Sequence, residues 1–351
     1  AFNAYLYFRI GYWVGRKVAQ GLYRVRLGFV DTEALKKVPE NATVVFVMNH
    51  RSNMDYILAG YLAADQAALS YAVGEWARAW PLSALIRLWG AYFIRRTSRG
   101  ALYRKVLSRY VQMATNGGDT QAFYPEGGLS LTGAVQKPKV GLLSYLVDGF
   151  DPDGARDIVF IPVAINYDRI LEDRVLMAAH ARGDRRFGAR VSVVVAFVLR
   201  KLWQRLRGRD TRFGTAAVAF GDPVSLRSFG KVENVDGLSM ELMGRIKAVM
   251  PVLGVPLVAT AMRQNPAMNA AQLQAAVVDI LAKIPERSIA VDTGDLSTEL
   301  QRACADMEQH GLLVQHNGIW TISEGQETAV GFYANSIAHY LLSEGDAATA
   351  K

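Results

Sequence analysis

The chain predicts an α/β fold, a mostly parallel central sheet flanked by helices, followed by a helical C-terminal domain with a winged-helix-like hairpin. Continuous apolar runs at residues 43–48, 121–124, 158–163 and 216–220 read as strands buried on both faces. Helical stretches at 56–64, 82–89 and 101–114 separate them, the alternation expected of strands joined by crossover helices. Past Gly221-Asp222-Pro223-Val224 the pattern becomes helical.

From the amino end, Tyr7, Gly11, Val14, Val18 and Leu22 recur at helical spacing with Arg9 and Arg16 opposite. Phe2, Tyr5, Phe8, Tyr12 and Trp13 crowd the same stretch, as aromatics do at a lipid headgroup boundary. The helix either lies on a membrane or packs on its own domain. Arg9, Arg16 and Lys17 interrupt any membrane-spanning run, and no signal-peptide cleavage pattern is present. Because the chain opens on Ala1, further residues are expected before it.

The expected organisation is 1–30 as an amphipathic interfacial helix and entry strand, 31–228 as the α/β domain, and 229–351 as the helical domain. The helix at 101–114 should halt at Gly117-Gly118. Beyond residue 229, helices are expected at 240–250, 257–262, 270–283 and 298–310, with Pro251 and Pro256 between the first two. Residues 312–316 and 319–323 flank Asn317-Gly318, the preferred two-residue hairpin turn, completing a winged-helix-like unit over 296–325. Winged helices often bind DNA, but 298–311 sets one arginine, Arg302, against Glu299, Asp306 and Glu308. No phosphate-binding stripe results, so nucleic acid is not an expected partner.

A length of 351 residues with 51% hydrophobic content supports a sizeable core and excludes wholesale disorder. The single cysteine, Cys304, excludes an intramolecular disulfide and a cysteine-based zinc cage, and reads as helix packing. The histidines at 50, 180, 310, 316 and 339 show no metal-ligand spacing, so no metal is expected. Net charge is +8, and the stretch from Arg182 to Arg212 holds ten cations against two acids, which matches that whole surplus. With the apolar insert 191–199 and Trp203 it suits an interfacial segment on anionic lipid. A core strand followed by a solvated basic helix fits equally.

Chemistry concentrates in Asn49-His50-Arg51-Ser52-Asn53-Met54-Asp55, between an apolar strand and an apolar helix. A histidine just past a buried strand, with a carboxylate five residues on, can serve as an oriented general base. Three further blocks follow: Gly90-Ala91-Tyr92-Phe93-Ile94-Arg95-Arg96-Thr97, then Phe123-Tyr124-Pro125-Glu126-Gly127-Gly128-Leu129-Ser130, then Ile158-Val159-Phe160-Ile161-Pro162-Val163. Their order and spacing resemble the four blocks of the glycerolipid acyltransferase superfamily. The wording of His50-Arg51-Ser52-Asn53-Met54-Asp55, of residues 93–97 and of Glu126-Gly127-Gly128 looks most like the membrane-bound glycerol-3-phosphate acyltransferases. Residues 250–261 and Phe332-Tyr333-Ala334-Asn335 with His339 are similar to the C-terminal part of those enzymes.

The resemblance implies transfer of a fatty acyl group from acyl-CoA or acyl carrier protein to the sn-1 hydroxyl of glycerol 3-phosphate, with no cofactor beyond the thioester co-substrate. It implies a peripheral or monotopic enzyme of phospholipid synthesis, on the anionic cytoplasmic face of the cell membrane. His50 would take the hydroxyl proton and Asp55 would orient it, without an acyl-enzyme. The expected substrate-binding set is Arg95, Arg96, Glu126, Gly127, Gly128, Ser130 and Lys137. Arg95 and Arg96 suit bidentate phosphate contact, with Lys137 and Lys139 next. Glu126 either accepts from acceptor hydroxyls or anchors the Gly127-Gly128 turn, whose glycines allow close backbone approach. One departure is Leu129 and Leu131, where such relatives commonly carry arginine. It leaves an sn-2, lysophosphatidate-type acceptor as the alternative, and a non-catalytic membrane-surface scaffold as the reading from another class.

Overall fold

The computed structural model describes residues 12–63, 70–74, 92–94, 100–183, 203, 207, 213–230 and 234–342. Its central sheet contains β1 (Arg24–Val30), β2 (Thr43–Met48), β3 (Ser70–Gly74), β4 (Tyr92–Ile94), β5 (Gln121–Phe123), β6 (Ile158–Tyr167), β7 (Thr215–Phe220) and β8 (Val224–Ser225). The order is β1-β7-β6-β2-β5-β3-β4, with β8 paired beside β7 on β6. Neighbours are parallel except where β6 meets β7 and β8 antiparallel. The sheet is therefore mostly parallel, as expected, with β1, β7 and β8 reversed.

Side-chain alternation explains why these runs are apolar throughout. Phe46 and Met48 of β2 face one core cluster while Val45 and Val47 face the other. Likewise Ile161, Val163 and Ile165 of β6 oppose Phe160 and Ala164. A strand with both faces covered has no polar side to offer. Pro162 occupies the interval where β8, paired at 159–160, gives way to β7, paired from 163. There the missing N–H is least costly.

Helices cover both faces. On one, Leu143 and Leu146 of the helix Gly141–Asp148 meet Leu238, Leu242, Met243 and Ile246 of Val235–Ala248. On the other, Ala19 and Leu22 of Tyr12–Leu22 and Leu58 and Ala59 of Asp55–Ala63 join the larger cluster. Residues 12–22 thus turn Ala19 and Leu22 into their own domain, leaving Trp13 exposed. The helix Ala101–Gly117 continues past the apolar stretch 101–114 and halts at the expected glycine pair, Gly118 closing it at φ +83. The stretch 82–89 and most of 182–212 lie outside the described residues, as do residues 1–11.

The C-terminal helices Gly254–Gln264, Ala270–Leu281, Leu296–Gln309 and Glu327–Ala334 enlarge the same apolar cluster. Cys304 packs inside it, and burial pushes its thiol up to about 12. The hairpin β10 (Leu313–His316) and β11 (Ile319–Ile322) turns at Asn317 (φ 51) and Gly318 (φ 79), the double positive φ of the favoured turn. A third strand, β9 (Ala267–Asn269), pairs antiparallel with β11; three residues gave no periodicity to detect.

Polar contacts tie this region to the sheet. Asn166 Nδ2 donates to Pro251 O (2.8 Å), and the buried Asp168 carboxylate accepts from Thr215 N (2.7 Å) and Val255 N (3.0 Å). Asp168→Ala would orphan both N–H groups and should cost roughly 2–4 kcal/mol of stability. Urea unfolding would measure it, and a loss below about 0.5 kcal/mol would contradict the role of this carboxylate.

Candidate active site

Parallel pairing of β2 with β5, in register at Val47 and Phe123, sends the two following loops out along one rim. His50 leaves one strand and Glu126 the other. On its other side β2 pairs with β6, which runs on after β2 ends. Asn49 spans that step: its Nδ2 donates to Ile165 O (2.9 Å) and its Oδ1 accepts from Ile165 N (2.7 Å). The side-chain amide continues the ladder while the backbone turns away, and that turn delivers His50.

His50 Nδ1 lies 2.9 Å from Asp55 Oδ2. The same oxygen accepts from Arg51 N (2.7 Å) and Ser52 N (3.1 Å), and Oδ1 accepts from Tyr167 OH (2.6 Å). Asp55 has no exposed surface and His50 has 4%. Against an ionised Asp55, Nδ1 carries the ring proton and Nε2 keeps its lone pair, the tautomer a general base requires. Burial, with the Asp55 charge beside it, pushes the Tyr167 phenol well above its ordinary range, so it remains a donor. The imidazole stacks on Tyr124 (centroids 4.1 Å apart, planes at 24°), and Tyr56 meets both rings edge-on.

The Glu126 carboxylate clamps two loops. Oε1 accepts from His50 N (2.8 Å) and Oε2 from Gln136 N (2.9 Å), while Ser130 N donates back to His50 O (3.0 Å). Both Glu126 oxygens thus meet backbone N–H groups of His50 and Gln136, not of the Gly127-Gly128 turn. Burial pushes its carboxyl up to about 7, against the lowering effect of those two backbone bonds. Ser130 Oγ donates to Ala134 O (2.6 Å). Gly127 has φ +68, and a Cβ there would approach Lys139 Cδ to 3.0 Å, so the turn favours glycine twice over. Gly128 is half-buried and Lys137 is exposed. Arg95 and Arg96 lie outside the described residues. Leu129 and Leu131 are half-buried and pack against the apolar core.

Sequence reasoning missed three residues. Tyr167 holds Asp55 from 112 positions away. Glu172 accepts from Ser52 Oγ (2.8 Å), Asn53 N (3.1 Å) and Asn53 Nδ2 (2.9 Å), fixing the loop between His50 and Asp55. Arg51 is buried at 2% exposure. Only Arg51 sat in a noticed motif; no local pattern marks the other two. Among the described residues no group of three or more His, Cys, Asp or Glu side chains could share a metal ion.

A family model described as Acyltransferase matches residues 29–166. Another, described as Glycerol-3-phosphate acyltransferase C-terminal region, matches 199–350. The glycerol-3-phosphate acyltransferase of Pseudomonas fluorescens strain SBW25 is 33% identical over 233 residues, 66% of this chain and 26% of that protein. The enzyme of the same name from Pseudoalteromonas atlantica is 28% identical, covering 84% and 39%. That of Haemophilus influenzae strain PittEE is 26% identical, covering 93% and 42%. This chain therefore spans from about a quarter to about two-fifths of these curated relatives. The crystal structure of the 1-acyl-sn-glycerophosphate acyltransferase of Thermotoga maritima aligns with a TM-score of 0.42 at 18% identity, over 68% of this chain and 77% of that one.

Glu126 generates a pH prediction. Unfolded, its carboxyl ionises near 4.5; folded, near 7. Between those values the native state holds the proton more tightly than the unfolded chain, so this group's contribution to stability falls as pH rises and levels off above about 7. Glu126→Gln should remove that slope, although it also turns an amide NH₂ toward one of the two backbone donors. Urea midpoints of both proteins at about pH 5, 6, 7 and 8 would test this. A difference between them that is independent of pH would rule Glu126 out as the titrating group.

Proposed function

This chain belongs to the glycerolipid acyltransferase superfamily, and from that premise we propose that it moves a fatty acyl group from a thioester to the sn-1 hydroxyl of glycerol 3-phosphate. The donor is acyl-CoA or acyl carrier protein, and the product is lysophosphatidate. The observation that carries the reading is the buried His50–Asp55 pair, its carboxylate fixed by four donors. His50 Nε2 takes the proton as the acceptor hydroxyl oxygen attacks the thioester carbonyl carbon. The tetrahedral oxyanion collapses, the carbon–sulfur bond breaks, and the imidazolium returns its proton to the departing thiolate. A thioester is already activated, so base, positioning and oxyanion stabilisation suffice. Under this reading Arg95, Arg96 and Lys137 meet the acceptor phosphate, and Gly127, Gly128 and Ser130 shape the loop beside it.

His50→Ala should reduce turnover roughly 10²–10⁴-fold, the usual contribution of a general base. Tyr167→Phe should cost less, because Asp55 keeps its other three donors. Both are read with radiolabelled acyl-CoA and glycerol 3-phosphate, far-UV circular dichroism confirming the fold. Near-normal transfer by folded His50→Ala would sink the mechanism. Wild-type acylation of lysophosphatidate in place of glycerol 3-phosphate would favour the sn-2 alternative; product from neither would favour the scaffold.

We also propose that the enzyme works at an anionic membrane surface. Among the described residues no helix is long and apolar enough to cross a membrane. The helix Ala101–Gly117 carries a stripe, Leu102 (77% exposed), Val106 (58%) and Met113 (62%), opposite the buried Val111. Arg104, Lys105 and Arg109 are exposed on this helix, which contains no acidic residue. Such a surface suits anionic lipid, with about 1 kcal/mol per cation near the headgroups. The helix joins parallel strands, so its amino end lies at the rim that bears His50. Replacing Leu102, Val106 and Met113 with serine should sharply reduce co-sedimentation with phosphatidylglycerol vesicles while sparing transfer between soluble substrates. Equal vesicle binding by wild type and variant would overturn this surface.

A further inference from the structure

Arg51 follows the general base, yet its guanidinium is buried. Nη1 donates to Gly133 O, and the guanidinium carbon lies 5.5 Å from the centre of the Phe332 ring. Nε and Nη2 are buried and have no partner. Those two nitrogens form the side edge of the guanidinium, whose parallel N–H groups match two oxygens of one anion. Among the described residues no carboxylate forms an ion pair with Arg51. The two acidic groups nearest in the loop are occupied: Asp55 by His50, Tyr167 and two backbone N–H groups, Glu126 by two backbone N–H groups. A buried cation with an open fork lacks the partner that buried charges normally have.

A second observation gives that fork a neighbour. A cavity of about 490 Å³ lies against the same wall, bounded by Leu131, Thr132, Met262, Arg263, Phe332 and Asn335 among others. Thr132 precedes the glycine that holds Arg51, and Phe332 both lines the cavity and packs on the guanidinium. Asn335 pins the wall by donating from Nδ2 to Thr132 O (2.9 Å), and accepts from Arg263 Nη1 (3.0 Å). Loop and helix touch so closely that a Cβ on Gly133 would overlap Phe332 O. The cavity is roomy enough for a small phosphate ester, has one cation, Arg263, and one carboxylate, Glu327, on its lining, and shares a wall with a second cation whose fork is unfilled.

We propose that Arg51 is an anion-binding residue, its Nε–Nη2 edge taking a phosphate monoester that enters through this cavity. The identity of that monoester as the acyl acceptor rests on the acyl-transfer reading; the anion site does not. A phosphate gripped by Arg51 would hold the rest of the molecule one residue from His50, where its hydroxyl can meet the base. Leu129 and Leu131 put no cation at those two positions of the adjoining loop, and Arg51 supplies one from the other side of that loop.

The test uses the whole chain with Arg51→Gln and Arg51→Lys. Inorganic phosphate is the probe, titrated by calorimetry without acyl donor, and KM is measured for glycerol 3-phosphate and for acyl-CoA. Arg51→Gln should weaken phosphate binding and raise the glycerol 3-phosphate KM at least tenfold, leaving the acyl-CoA KM within about twofold. Arg51→Lys keeps the charge without the fork and should fall between; it carries the test alone if the glutamine variant does not fold. Phosphate bound equally by wild type and folded variants would overturn the proposal, as would both KM values rising in parallel, the signature of a merely structural arginine. Arg51-dependent phosphate binding in a protein that acylates no glycerol 3-phosphate would leave this site standing and remove the acyl-transfer reading instead.

Discussion

The Asp55 carboxylate is the contact on which the rest of the site depends. Fully buried, it gathers His50 Nδ1, two backbone N–H groups of its own loop and the Tyr167 hydroxyl. Burying a carboxylate is costly unless donors surround it. Here the donors that offset this cost also define the geometry. The loop must fold back so that two amides point at one oxygen, the imidazole must turn its Nδ1 inward, and β6 must extend far enough to bring Tyr167 to the rim. Removing any one of these weakens the others.

Around that centre the protein repeats one device, a buried polar side chain that hydrogen-bonds to a segment distant in the chain. Asn49 joins the end of β2 to β6, Glu126 joins the His50 loop to the loop after β5, and Glu172 joins the same His50 loop to the segment after β6. Asp168 does so between sheet and C-terminal helices, while Asp173 accepts from the buried Tyr333 at 2.8 Å. The site is thereby built on rigid strand ends and braced from three directions. This is the condition for holding reacting groups in one geometry.

How much of this was legible in the sequence follows from separation along the chain. Strands buried on both faces announce themselves as unbroken apolar runs, so β2, β6 and β7 were readable; β3 and β9, short and without such a run, were not. The His50–Asp55 pair was readable because five residues at a strand–helix junction form a local pattern. Tyr167 and Glu172 were hidden because their contacts with Asp55 and Ser52 span 112 and 120 residues, and a tyrosine or glutamate after a strand has ordinary composition. Arg51 was visible as a motif letter, but its burial depends on Gly133 and Phe332. For residues 12–22 the apolar spacing was real; which surface it met, lipid or protein, depends on the fold, and Ala19 and Leu22 meet protein.

The pairing of β1 with β7 also bears on the order in which the chain can be assembled. Arg24 lies opposite Thr215, about 190 residues later. At typical synthesis rates that interval lasts roughly 10–40 s. Through it a newly made β1 has no partner, while β2, β5 and β6 emerge and can already zip together. Nearly all of the rim that bears His50 belongs to that middle block, whereas β1, made before it, meets β7 only after it. Its cationic positions, Arg24 and Arg26, are suited to such a wait, since charge on an unpaired strand edge discourages wrong pairing with another chain.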